Sequence, residues 1–370
     1  MNIKSKFLVV LFAFLTPLII FADSSNIKEE FQVDLSKAKV LEIVEVIQVN
    51  TSSTQVLKIE LLSGDFQGSV ALIRNSISGS ENQIELKVGS KISVYTEVVE
   101  GKPSFYFHSL DKTNSLLILV SLFILAMIAF GGMKGIKALL SLSLTIALIL
   151  FGLVPLLLEG YNPIILSVLT CIIAAVLTFV ITNGLTKKAL VAIIGVSGGL
   201  VIGGLIAYVF GHITHVSGIS TENAQMLQYL PQEISLDYKG LLFAGIIIGA
   251  LGACMDVAIE LTSSLIEIKR HQPNISEKEL IKSGYTIGKD IMGTMVNTLI
   301  LAYTGGSLAT ILIFTGFEKS FSEIINLDSI TTEIIRAISG SMGLLFAIPF
   351  TILTFIIVYR AGEDKDEKIN

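Results

Sequence analysis

After Lys112 the chain runs through a succession of apolar stretches: Asn114 to Met133, Ala138 to Leu158, Pro163 to Thr182, Ala189 to Gly211, Gly240 to Ile266, Ile291 to Gly316 and Glu333 to Tyr359. A helix needs about 20 apolar residues to cross hydrocarbon, and each stretch has that length. The expectation is a membrane α-helical bundle of about seven transmembrane helices. Composition supports it, since 52% of the 370 residues are hydrophobic and 15% charged, with mean hydropathy +0.75. That excludes an ordinary cytosolic enzyme. With 26 Lys and Arg against 31 Asp and Glu, the net charge of −5 leaves no basic excess, so no nucleic-acid partner is expected.

The chain opens with Lys4 and Lys6, an apolar run from Phe7 to Phe21, then Ala22 before Asp23-Ser24-Ser25. A basic start, an apolar centre and a small residue before a polar segment form the pattern of a signal peptide, expected over residues 1–22. An uncleaved anchor helix is the alternative, because Ile20 suits a cleavage site poorly. Residues 23–112 differ in character. Val40 to Val49, Gln55 to Leu62, Gly68 to Ile73, Lys91 to Val98 and Ser104 to Phe107 alternate with period two, and turn residues such as Ser63-Gly64-Asp65 separate them. This predicts a small all-β domain, with an OB-like five-stranded barrel as one form it can take.

Basic residues accumulate in cytoplasmic loops. With the β domain outside, the inner loops carry Lys134, Lys137, Lys187, Lys188, Lys269, Arg270, Lys278, Lys282 and Lys289, and the tail at 361–370 adds Lys365 and Lys368. The outer loops carry mostly acidic residues, among them Glu222, Glu233 and Asp237. Signal peptide and charge asymmetry therefore predict one topology: a seven-helix domain over 113–360, with the β domain outside and the C-terminus cytoplasmic. Ile275 to Ile281, after Pro273-Asn274, reads as a short amphipathic helix at the inner surface.

Candidate chemistry lies in the fifth and sixth stretches. Asp256 and Glu260 are four residues apart and share a helical face. Retaining ionisable groups at such depth is costly, which makes function the default reading, although a pair that snorkels or fixes helix packing needs no function. In the next stretch Asp290, Thr294, Asn297 and Thr298 recur at helical spacing and form a polar stripe unsuited to lipid. Packing that stripe against the fifth helix would gather it with Asp256 in one pocket. Asp290 alone is also explained as an acidic residue near a helix start.

Glycines recur through Gly195 to Gly204 and at Gly245, Gly249 and Gly252, the small-residue spacing that lets helices approach closely. Gly305-Gly306-Ser307 is the type of sequence that interrupts a helix at a transport site. His212 and His215 have a spacing that suits one metal only if their helix continues, and no third ligand accompanies them. Glu333 and Arg336 most simply pair with each other. Cys171 and Cys254 read as packing residues. Phosphate loops, zinc motifs and nucleophile elbows are missing from the sequence, so neither a cofactor nor a metal nor an enzymatic activity is expected.

The blocks Gly249 to Glu260 (GALGACMDVAIE) and Gly288 to Ser307 (GKDIMGTMVNTLILAYTGGS) resemble the YibE/F-like family of bacterial multi-pass membrane proteins, in particular its YibE-type form. Taken with the signal sequence, the small exported domain and the Gly-rich fourth stretch, the resemblance extends over nearly the whole chain. It implies a bacterial cell membrane location and brings no substrate or catalytic residue. Three readings follow. The first is a permease or channel-like transporter, in which Asp256, Glu260, Asp290, Thr294, Asn297 and Thr298 bind a cation, a proton or a small solute. The second is a non-transporting scaffold or sensor whose β domain binds an extracytoplasmic protein, or which pairs with a related membrane subunit. The third, an intramembrane aspartyl protease using Asp256 and Asp290, is disfavoured because Lys289-Asp290 lacks the Gly-x-Gly-Asp form.

Overall fold

The computed structural model describes residues 34–49, 52–77, 85–99, 102–230, 236–317 and 320–366. The expected signal peptide and the last four residues lie outside them. The chain divides into two units with their boundary between Ala126 and Met127.

The first unit is a five-stranded antiparallel sheet of β1 (Asp34–Val49), β2 (Ser52–Leu61), β3 (Val70–Ile77), β4 (Lys91–Val99) and β5 (Lys102–Leu110). The strand order is β3-β2-β1-β4-β5. Its two outer strands, β3 and β5, come together, so the sheet curls into a near-barrel. Alternation does the work. Leu57, Ile59 and Leu61 of β2 point inward, as do Ala38 and Val40 of β1 and Ile92 and Val94 of β4, and they build one buried cluster with Ile73 and Leu86. Gln55 continues the inward series of β2 at the end of the barrel. Its amide makes three hydrogen bonds: Nε2 donates to the Leu86 carbonyl at 3.1 Å, while Oε1 accepts from Leu86 N at 2.9 Å and Asn75 Nδ2 at 3.1 Å. Asp111 follows the last strand, accepting from the Thr113 backbone at 3.0 Å and facing Lys37 at 3.5 Å.

The remainder is helical: α1 (Thr113–Ala147), α2 (Val154–Leu158), α3 (Pro163–Asn183), α4 (Lys187–Ile213), α5 (Glu222–Met226), α6 (Tyr238–His271), α7 (Glu277–Gly306), α8 (Leu308–Gly316), α9 (Phe321–Ile325) and α10 (Asp328–Asp366). Among the described residues five segments are long and apolar enough to cross a membrane, and the bent pair of α7 and α8 makes a sixth. The expected first and second spans fall within one segment, Thr113–Leu158. Gly132 breaks it, with φ 51° and ψ −129°, a conformation outside the helix. Gly135 then lies hard against the Met127 carbonyl, although eight residues of straight helix would separate them by about 12 Å, so the chain turns sharply at Gly132. Between α1 and α2, residues Leu148–Leu153 widen into a π-helical turn just before Pro155, which has no N–H to donate.

The expected short helix at Ile275 to Ile281 is not a separate element. Ser276 caps α7 in a reciprocal box with Glu279, and the helix then runs unbroken to Gly306. No breaker intervenes, because Gly284 and Gly288 lie inside it against Ile352 and Ile348 of α10.

α4 is the centre of the bundle. Gly195, Gly199 and Gly203 recur every four residues along it, and opposite them Gly343, Ala347 and Thr351 recur every four along α10. An ideal Cβ at Gly203 would stand 3.0 Å from the Gly343 Cα, so the two backbones touch. Small residues permit such an approach, as their spacing predicts. Val196, Leu200, Leu344 and Phe355 fill in around the seam, and Ile247, Leu251 and Leu261 of α6 complete the core. Cys171 and Cys254 are buried, unpaired members of the same cluster.

Candidate functional site

α6 presents one exposed line of residues: Gly245, Gly249, Gly252, Asp256 and Glu260. Its opposite side carries Ile246, Ile247, Ala250, Cys254 and Val257 into the core. The same periodicity that buries the apolar residues therefore leaves both carboxylates on the open face, one turn apart, where each is the other's electrostatic neighbour. Asp237 caps the start of the helix by accepting from Gly240 N at 2.9 Å. At the opposite end the line passes through Ser264 and Glu267 to His271, which lies 3.0 Å from Glu267. Ser264, Glu267, His271, Gln272 and Ser283 line a hollow of about 560 Å³ there.

On α7 the buried positions are Leu280, Gly284 and Gly288, with Ile291, Met292, Met295 and Val296 packed against the core. Asp290, Thr294, Asn297 and Thr298 fall on the exposed side. Thr294 and Thr298 donate to the carbonyls of Ile291 and Thr294, both at 2.9 Å, so their hydroxyls are engaged within the helix. Among the described residues no hydrogen bond or ion pair joins this stripe to Asp256 or Glu260. Both sets are thus exposed polar surfaces on consecutive helices.

The helix breaks where Gly305-Gly306-Ser307 suggested it would. α7 and α8 meet at Ser307 with a bend of 57°. Just before the break, Tyr303 pushes its hydroxyl between two glycines on different helices. A Cβ at Gly249 of α6 would stand 2.9 Å from it, and one at Gly340 of α10 3.5 Å. Glu333 and Arg336 share that face of α10, joined at 3.1 Å, and both act electrostatically on Tyr303. Sequence reading gave Tyr303 no role and treated Glu333 and Arg336 as a plain pair. An arginine inside an apolar stretch, together with a tyrosine beside a glycine-rich break, was the available signal.

His212 and His215 do not share a helical face. α4 ends at Ile213, His215 has a positive φ of 55°, and His212 instead holds the Tyr208 carbonyl at 2.8 Å. The segment after α4 is tied to α10 through Ser217, whose hydroxyl donates to Asp328 at 2.6 Å.

Several long apolar helices, one of them broken, with glycines and carboxylates along their open faces, define a polytopic helical protein and are consistent with residence in a membrane. The chain belongs to the YibE/F-like family: residues 119–361 match it, which takes in the helices and leaves the β unit outside the match. No curated protein and no solved structure matches the chain.

Proposed function

We propose that this chain is a multi-pass bacterial membrane protein of seven spans acting as a permease or channel-like transporter for a cation, a proton or a small solute. The break at Gly132 supports counting Thr113–Leu158 as two spans, and the bent α7–α8 pair supplies another. The charge asymmetry of the loops supports a β domain outside and a C-terminus in the cytoplasm. The observation that carries the reading is the exposed line of Asp256 and Glu260 on an otherwise apolar helix. A carboxylate facing hydrocarbon costs several kcal/mol, so this face belongs against water, solute or another polar surface. Asp256 binds the cation or proton, Glu260 shares its charge, and Asp290, Thr294, Asn297 and Thr298 extend the polar surface along α7. The break at Ser307 follows the pattern of discontinuous helices at transport sites.

The test is flux in proteoliposomes under an imposed gradient, across a panel of cations and protons, with wild type and Asp256→Asn. Flux carried by the wild type and lost in the variant is expected. A folded wild type that moves none of them sinks the reading.

The β unit favours a second reading, a scaffold or sensor with an extracytoplasmic partner. β3 and β5 flank a groove of about 550 Å³ with Val70, Leu72, Arg74, Phe105 and Tyr106 on its walls. We read the curled sheet as OB-like, since β3 and β5 close the strand order of such a barrel. Loss of cellular function on removing the β domain, with Asp256→Asn silent, is the outcome this reading requires.

A further inference from the structure

We propose that Arg336, together with Tyr303 and Thr332, forms a binding site for an oxyanion of the carboxylate or phosphate type, brought by a free solute or by a lipid headgroup. This site is separate from Asp256 and does not rest on the transport reading. Tyr303 Oη, Thr332 Oγ1 and Arg336 Nε are buried, and none has a hydrogen-bond partner among the described residues. Buried polar atoms are ordinarily paired, so three unpaired ones in one neighbourhood call for an explanation. Their placement is coherent. Thr332, Arg336 and Gly340 recur every four residues on one face of α10, and the Tyr303 hydroxyl rests beside Gly340.

Their chemistry points the same way. Nε–H of arginine can only donate, and the two hydroxyls can donate as well, so the three atoms together require an acceptor. Glu333 meets part of that need, touching Nη1 at 3.1 Å. Tethered three residues away, it makes a single contact and leaves the Nε edge unused. A carboxylate or phosphate takes two parallel N–H bonds from a guanidinium, the stronger arrangement. Glu333 is thus an internal stand-in that a two-pronged oxyanion displaces. With side-chain exposures of 30% for Arg336 and 24% for Glu333, the pair can be reached. Arg336 lies about 12 Å along α10 from Asp328, within reach of an anion or headgroup arriving from that end.

The experiment uses the full chain in lipid nanodiscs. In phosphatidylcholine discs, inorganic phosphate and acetate are titrated by calorimetry into wild type, Arg336→Gln, Tyr303→Phe, Glu333→Gln and Asp256→Asn. Saturable binding is expected in wild type, weakened about tenfold or more in Arg336→Gln and about three- to tenfold in Tyr303→Phe, the range for a charged and a neutral hydrogen bond. Glu333→Gln removes the competitor and binds more tightly, a gain that misfolding cannot mimic. Asp256→Asn binds like wild type, so loss of flux there with binding intact separates this site from the transport reading. A second arm measures co-purified phosphatidylglycerol by mass spectrometry. Retention by wild type and release by Arg336→Gln, with free anions inert, assigns the site to a headgroup phosphate. If neither free anions nor phosphatidylglycerol distinguish wild type from Arg336→Gln, the proposal is wrong.

Discussion

Gly199 of α4 lies directly against Gly343 of α10: a Cβ added to Gly199 would stand 2.5 Å from the Gly343 carbonyl oxygen and 2.9 Å from the Ala347 Cβ. No side chain fits without parting the two helices at the centre of the bundle. Gly199→Leu is expected to destabilise the protein by about 3 kcal/mol or more, the upper range for overpacking. Gly245 is the internal control, because its Cβ would meet nothing within 4 Å. Gly245→Ala is therefore expected to be neutral, or stabilising by up to about 1 kcal/mol through helix propensity. Thermal melts of both variants in detergent, followed by size-exclusion chromatography, check the contrast. Equal effects would contradict the seam.

The turn at Gly132 makes a second claim. At φ 51° and ψ −129° a side chain is strained whatever space surrounds it, while the neighbouring Gly131 is helical and open. Gly132→Ala is expected to lose about 1–3 kcal/mol and Gly131→Ala essentially nothing. Matched melting curves decide it, and a Gly132→Ala protein as stable as wild type would mean that the chain does not turn there.

In the β unit, Gln55→Ala leaves the Leu86 N–H and carbonyl, and one Asn75 contact, without their partner. Stranding buried groups costs about 1–3 kcal/mol each when water cannot replace the bond, so the variant is expected to lose at least about 2 kcal/mol. Hydrogen exchange at β2 and β3 is the suitable readout, since it reports that unit separately from the helices. Unchanged protection would refute the network.

Asp111 brings a pH dependence. The Thr113 hydroxyl first, then the Thr113 backbone and Lys37, hold its carboxyl below the usual range against the opposing effect of burial. Because its folded value is depressed, the stabilisation is complete above the unfolded value of about 4 and disappears as pH falls through the folded one. Asp111→Asn is therefore expected to lower the melting temperature at neutral pH, with the gap to wild type closing only below about pH 4. A gap that closes between pH 5 and 7 would assign the effect to another group.

Much of this was legible along the chain. Period-two alternation located all five strands, since inward and outward positions on a pleated strand differ in their contact with water. Hydropathy located the helices for the same reason. One boundary escaped it. The helix beginning at Glu277 gave no local sign that it would run on through Gly284 and Gly288, because a glycine inside a helix looks like a breaker until something packs on it. The candidate site was half legible: helical spacing placed Asp256 beside Glu260 and grouped the α7 stripe, yet nothing in one helix's period tells how it is rotated against the next.

What the sequence by itself determined is therefore local and periodic: which residues share a face, where apolar length suffices for a span, and where Gly305-Gly306-Ser307 allows the chain to bend. The tertiary structure decided which faces meet. Gly199, Gly245 and Gly249 are alike in sequence, but the first is filled by α10, the second is open and the third receives the Tyr303 hydroxyl. The physical reason is that a glycine only removes an obstacle. Which neighbour uses the space depends on the packing of every helix at once, and that sum brought Tyr303, Glu333 and Arg336 together from segments 30 residues apart.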